Sequence, residues 1–494
     1  MKRFLSLILS TLLICALFSG CQTAESGKVV VCFDIGTGYD EFDYNQGSVD
    51  KFLNWIDDCN KYLGLGISSE DIEVDVIPGP EADPSERAAV LQRIRTEIMS
   101  GKGPDVFICR TPNDFAAVSG FVHDELYDET IDGMRLFPYV EKSREEGLFL
   151  PLDEMLSDLT LTDTDDLIPQ LMEGGKNKNG EQVIIPLTFV VPGVVFSGTT
   201  SNILYGNEVP EVQFEGTSWD DVLRGDDPLL SELSIWAMNY YRFDENYIRT
   251  GGHASALFCL FPQTADFENE VPALSEEELF ELVKDSIEGC RRAMAWEPEQ
   301  YSASVFFDPL NLTSGMAWAI PRNGNNAYTL VPMRNLQGGS TAMVNSYCAI
   351  NANTRKKEKA LAVLDALLTI DYQKNSSFFH FVEGMPNSRT LTSPGNPYLK
   401  SVHAYSGTME FTAEQYAQWQ RICEDINIVR FPGPLDDQLD RMMGEIEDTM
   451  YTYRAASGAI IRNGQFLQYS LSDEELREII SKHYQQMQRL LDES

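Results

Sequence analysis

The chain alternates between two apolar rhythms after residue 27. Val29-Val30-Val31-Cys32-Phe33 is a β-branched apolar run and predicts a buried strand, followed by a polar loop from Asp34 to Asp43 that contains Gly36 and Gly38. Val49, Phe52, Leu53, Ile56, Cys59 and Leu63 then recur at three- and four-residue intervals, the stripe of an amphipathic helix that stops near Gly64. Ile72 to Ile77 reads as a second strand. Asp83-Pro84-Ser85-Glu86 marks a helix start, because Asp83 can accept from exposed amides, Pro84 suits the first turn and Glu86 can reach back. Val90, Leu91, Ile94 and Ile98 form its apolar face, and Gly101-Lys102-Gly103-Pro104 ends it. Asp105 to Cys109 is a third strand opening into Arg110-Thr111-Pro112-Asn113-Asp114. Strand, helix, strand, helix, strand in this order predicts a doubly wound α/β unit, in which ligands bind beyond the carboxyl ends of the strands. Asp34 to Asp43 and Arg110 to Asp114 therefore lie on the expected functional edge.

Further along, Glu181 to Val191 with Val194 to Phe196 is apolar and strand-rich, broken by Pro186 and Pro192. Residues 197–272 show weak periodicity and place no element. Ser275 followed by Glu276-Glu277-Glu278 caps a helix carrying Leu279, Leu282, Val283 and Ile287. Helical stripes follow at 356–369, 413–426, 436–454 and 473–491, so the C-terminal third is expected to be helical. No repeat, low-complexity tract or long linker interrupts the chain.

The start of the chain has a different character. Lys2 and Arg3 precede an apolar run from Phe4 to Phe18 that ends in Leu17-Phe18-Ser19-Gly20-Cys21. The run reads as an export signal, and small residues before a cysteine resemble a bacterial lipoprotein processing box, with Cys21 the acylated first residue. A diacylglyceryl cysteine would hold a protein stably at a membrane. Residues 22–27 are then a polar tether. Of nine cysteines, seven remain beyond Cys21, an odd number without a Cys-x-x-Cys spacing, and they read as small buried hydrophobes.

Composition narrows the partners. The 494 residues are 43% hydrophobic and 23% charged, which suits a globular chain with a sizeable core, and 11% aromatic content argues against disorder. Thirty-eight basic against 76 acidic residues leave a net charge of −38, so nucleic acid is excluded as a partner. His-Glu-x-x-His, Gly-x-Ser-x-Gly and the P-loop pattern are absent, and the five histidines have no ligand spacing, so neither metal nor cofactor is expected. His483 falls on the apolar stripe with Leu476, Ile480 and Met487 and reads as a core-edge histidine. A glycosidase needs only two suitably separated carboxylates, which so acidic a chain can always supply. Tyr39, Phe189 and Trp318, near predicted strand ends, could stack on sugar rings.

Several segments, in order, resemble the bacterial extracellular solute-binding proteins of the sugar-type, maltose-binding-like family. Arg93 to Gly101 followed by Gly103-Pro104-Asp105-Val106-Phe107 is similar to that family's helix, glycine turn and strand. Leu150-Pro151-Leu152-Asp153, Gly180 to Pro186, Leu312 to Trp318, and Tyr347 to Thr354 with Lys357-Glu358-Lys359-Ala360 and Leu367-Leu368-Thr369 resemble later family segments. Residues 200–300 and 395–494 are longer than the family core, and Gln182 and Val183 alter one motif.

The resemblance implies a two-lobed, periplasmic-binding-protein-like α/β fold, each lobe a sheet flanked by helices with a ligand cleft between. On this expectation residues 1–20 are the signal peptide and 21–27 the lipid-anchored tether. Lobe one takes 28–187 with 332–351, and lobe two takes 188–331 with 352–494. It implies a lipid-anchored monomer on the extracytoplasmic face of the bacterial membrane that delivers a mono- or oligosaccharide to the transmembrane subunits of an ATP-binding-cassette permease. By position, Asp34, Tyr39, Asp40, Arg110, Asp114, Thr188, Phe189 and Trp318 are expected to face the cleft. A glycan-acting enzyme and a sensory receptor are the alternatives.

Overall fold

The structure, a computed structural model, describes residues 27–34, 44–78, 84–110, 134–191, 193–196, 263–294, 329–332, 335, 337–370, 385–391, 393–395, 398–402, 405–409, 413–456 and 471–493. The expected opening is present as β1 (Val29–Asp34), α1 (Tyr44–Leu63), β2 (Ile72–Val76), α2 (Pro84–Met99) and β3 (Val106–Arg110). Both β2 and β3 pair parallel to β1, with Val29 opposite Ile72 and Val31 opposite Val106. Short helices α3 (Val140–Glu145), α4 (Asp153–Leu156) and α5 (Pro169–Gly174) lead to β4 (Ile184–Val190) and β5 (Gly193–Phe196). Next come β6 (Ala265–Asp266), β7 (Val271–Pro272), α6 (Glu276–Met294) and β8 (Thr329–Pro332), which pairs with β5. The long strand β9 (Ser340–Ile350) precedes α7 (Lys357–Leu368) and β10 (Met385–Pro386). The chain continues with β11 (Tyr398–Val402), β12 (Tyr405–Met409), α8 (Ala413–Glu424), β13 (Ile426–Arg430), α9 (Pro434–Ala456) and α10 (Asp473–Asp492).

Seven strands form the main sheet, in the order β10-β4-β9-β3-β1-β2, with β13 also on β9. Its alternation sorts side chains between two cores. Val29, Val31, Phe33, Val106 and Ile108 face α1 and α7, where Phe52, Ile56, Val363, Leu364 and Leu367 complete the packing. Cys32, Phe107 and Cys109 point the other way, onto Leu91 and Ile94 of α2 and onto Phe137 and Phe149. Phe107, Phe137 and Phe149 meet edge to face, at centroid separations of 5.0 to 6.1 Å, the arrangement that ring quadrupoles favour. A third core gathers Phe189, Met385, Trp419, Ile422 and Ile426 around α8.

Two expectations need correction. The C-terminal third is not wholly helical, because β10 to β13 lie within it and β13 joins the main sheet beside β9. The assignment of all of 352–494 to the second lobe also fails for α7. Its apolar face is part of the first core, and Trp55 of α1 donates its indole N–H to the Ala366 carbonyl at 3.1 Å. Asp365, buried on the same helix, accepts from the backbone N–H groups of Thr160, Leu161 and Thr162. Helix 357–368 therefore belongs to the first sheet.

The cysteines behave as expected where they are described. Cys32, Cys59, Cys109, Cys348 and Cys423 are buried free thiols, and burial pushes Cys32, Cys109, Cys348 and Cys423 well above the ordinary thiol range. Ser275 caps α6 as the sequence predicts, its backbone N–H donating to Glu278 at 2.8 Å.

Candidate functional site

Three of the expected binding residues, Asp34, Arg110 and Thr188, lie at the carboxyl edge of the main sheet. β1 and β3 stop there, at Asp34 and Arg110, whereas β4 and β9 run on. Arg110 pairs with Ser346 of β9, and Ser346 pairs with Thr188 of β4, so the three form one row across the sheet. Arg110 shares its strand face with Val106 and Ile108, and Ser346 shares its face with Cys348 and Ile350, all in the core under α1 and α7. Beyond this row β9 changes partner on one edge. Residues 346–350 pair with β3, and residues 340–343 pair with β13. Strand β4 pairs with residues 343–349 of β9 and so spans the change, with register irregularities around Thr188. Such bulges re-aim side chains and interrupt pairing next to sites. Here the bulge sets Thr188 Oγ1 2.7 Å from Ser346 Oγ, a buried hydrogen bond that pins the two long strands together.

Asp34 is held by another group. Its carboxylate accepts from both terminal nitrogens of Arg87, at 2.9 and 3.2 Å, in a pair nearly sealed from water. The same guanidinium donates to the carbonyls of Pro78 and Met134, so Arg87 ties three segments together at the tip of β1. This makes Asp34 the buried counter-ion of an arginine, and the expectation that it faces a cleft is corrected. Phe189 is corrected too. It is fully buried and stacks on Trp419 at 5.6 Å and 29°, which closes its ring to a solute in this conformation. Thr188 faces Ser346, and Arg110 stands at the strand end, half-buried. Tyr39, Asp40, Asp114, Trp318 and Cys21 lie outside the described residues.

Two features of this edge escaped the sequence. Tyr347, beside Ser346, is fully enclosed, hydrogen-bonded with Cys109 and edge-on to Phe431 at 5.7 Å; burial drives its phenol well above the usual range. Glu141 of α3 accepts from the Phe431 N–H at 3.1 Å, beside the buried Arg430–Asp436 pair, and desolvation raises its carboxyl. Arg135 makes a two-pronged bond to Asp437 with both contacts at 2.7 Å, and Tyr139 donates to the Leu490 carbonyl at 3.1 Å. Together these anchor α9 and α10 to the 134–141 segment. Residues so distant in sequence carry no local signal of pairing. His483 is buried in the seam between α9 and α10, 2.6 Å from Gln438 and 2.8 Å from Glu445, so both its ring nitrogens are engaged.

The opposite, amino edge carries the family-like motifs. Asp105 accepts from the Val30 N–H at 2.8 Å, the Thr354 hydroxyl at 2.5 Å and the Lys356 ammonium at 3.0 Å. Asn351 donates to the carbonyls of Pro104 and Lys102 and accepts from the Asn353 N–H. Gly101 and Gly103 adopt left-handed backbone angles, φ 74° and 96°, in the turn that delivers the chain from α2 to β3.

The chain has a periplasmic-binding-protein-like fold. It is similar to the bacterial solute receptor AcbH, described as having an exclusive preference for b-D-galactopyranose, with a TM-score of 0.50 and 9% identity over 94% of this chain and 100% of that one. Similar structures include a periplasmic oligogalacturonide binding protein from Yersinia enterocolitica, with TM-score 0.49, 13% identity and coverage of 94% and 99%. Another is a cyclic alpha-maltosyl-1,6-maltose binding protein from Arthrobacter globiformis, with TM-score 0.47, 14% identity and coverage of 94% and 99%. No protein-family model and no curated protein sequence matches the chain.

Proposed function

We propose that this chain is an extracytoplasmic solute receptor that binds a mono- or oligosaccharide between two lobes and presents the closed form to a membrane permease of ATP-binding-cassette type. The observation that carries this reading is the continuation of β4 and β9 past the carboxyl edge. These strands are joined by the Thr188–Ser346 bond, and β9 exchanges β3 for β13 along one side. Two connected strands that outrun their neighbours suit a hinge, since closure must turn one body against the other without breaking either core. The solute's differential affinity for the closed form then drives the change. Acylation at Cys21 would keep the receptor beside its permease, and Tyr39, Asp40, Asp114 and Trp318 are the remaining solute contacts of this proposal.

A thermal-shift screen of the mature chain in detergent against sugars, oligosaccharides, peptides and polyamines tests it. At a hundred times its dissociation constant a ligand adds about 2.7 kcal/mol, enough to move the midpoint. Saturable stabilisation by a sugar recovered intact is expected. A stabilising glycan that is consumed would replace the receptor with a glycan-acting enzyme.

A further inference from the structure

We infer that the solute bears a carboxylate, in the chemical class of uronic-acid sugars, and that Arg110 binds it. The inference deepens the receptor reading and rests on it. Arg110 ends β3 on the expected solute-facing edge, in one row with the Ser346–Thr188 hydroxyl pair. Its side chain stands apart from the other buried and half-buried guanidinium groups among the described residues, since even Arg95, which has no carboxylate, donates to the carbonyls of Leu136 and Arg135. Arg87 is paired to Asp34, Arg135 to Asp437, Arg430 to Asp436, Lys356 to Asp105, and Arg144 to Glu145 and the Gly174 carbonyl. No ion pair or hydrogen bond links the Arg110 side chain to any described residue. In a chain with 76 acidic and 38 basic residues, a half-buried guanidinium with neither a described carboxylate nor a described carbonyl to accept from it is unusual.

The chemistry of the group selects the ligand. A guanidinium removed partly from water needs acceptors for its fork of N–H donors, and a planar carboxylate satisfies two of them in parallel. A single cation matches a singly charged carboxylate better than a phosphate dianion, which would bring a second negative charge into an acidic protein. The overall negative field is screened beyond about 8 Å at physiological salt, so recognition acts at contact rather than through attraction at a distance.

Calorimetry of the mature chain in detergent with galacturonic acid, glucuronic acid and the methyl ester of each, alongside maltotriose, provides the test, since each ester keeps the hydroxyls and removes the charge. At least one acid is expected to bind at least about tenfold tighter than its ester, about 1.4 kcal/mol. Arg110→Gln should bring the acid down to the ester's affinity while leaving the ester unchanged, and Arg110→Lys should fall between. The melting temperature of unliganded Arg110→Gln should match the wild type, which separates lost recognition from lost folding. Equal binding of acid and ester by the wild type, or an acid preference that survives Arg110→Gln, would overturn the inference. Binding of maltotriose alone would also overturn it while leaving the receptor reading intact, whereas failure of every sugar would remove both.

Discussion

The two edges of the main sheet are built on opposite principles. At the amino edge every buried polar atom of Asp105 and Asn351 is used within the protein, by backbone groups, a hydroxyl and a lysine. At the carboxyl edge the strands end at different levels, β4 and β9 run on, and the Arg110 side chain makes no ion pair or hydrogen bond with a described residue. One edge spends its polar groups on holding the turns between α2, β3, β9 and α7. The other keeps a charged group and a bulged strand where a solute and a hinge would need them. On the proposed reading, the difference teaches that fold specificity and ligand specificity would occupy separate ends of the same strands.

Removing the Asp105 carboxylate tests the amino edge most severely. Asp105→Ala strands a lysine, a hydroxyl and an N–H together, and the loss is expected to reach about 3 kcal/mol or more, read by chemical denaturation. Asn351→Leu should cost about 2 kcal/mol in the same assay, because it orphans the buried Pro104 carbonyl and removes the acceptor of the Asn353 N–H. Across the sheet the response should be smaller and of another kind. Ser346→Ala removes the pin between β4 and β9 and should cost about 1 kcal/mol of stability, with a measurable change in solute affinity through the hinge. Arg110→Ala should stay within about 0.5 kcal/mol of wild type in stability while weakening binding.

The smallest effect concerns pH and the C-terminal helices, well away from both edges. Glu445 is held below the ordinary carboxylate range, first by its bond to Lys482 and also by His483. A carboxyl depressed in the folded state stabilises above its unfolded value and loses that contribution as pH falls through the folded one. Denaturation at pH 7 and at pH 3 should therefore show a Glu445→Gln deficit that is present at neutral pH and shrinks in acid.

The division between the edges also explains what the sequence could reveal. The first five elements, α6, α7 and the last helices follow from periodicity and caps, because the helices each bury one apolar face while β1 and β3, buried on both faces, read as continuous apolar runs. Within the segments that resemble a solute-binding family, Gly101, Gly103, Asp105, Asn351 and Thr354 sit at fixed backbone positions that close the amino edge. Strand β13 was hidden because Ile426-Asn427-Ile428 continues directly from a helix, and its partner lies some eighty residues earlier. Asp34 and Phe189 were legible as strand-end residues, but their partners Arg87 and Trp419 are set by tertiary packing alone. Ligand contacts carry little local pattern, since a solute constrains chemistry and direction rather than periodicity.

The central claim is that the carboxyl edge opens on a cleft that closes over a sugar. Small-angle X-ray scattering of the mature chain, without and with a saturating sugar that stabilises it, measures this most directly. A smaller radius of gyration in the bound state, reversed when the intact sugar is dialysed away, is the predicted result. An unchanged radius at full saturation, or a sugar that comes back cleaved, would contradict it.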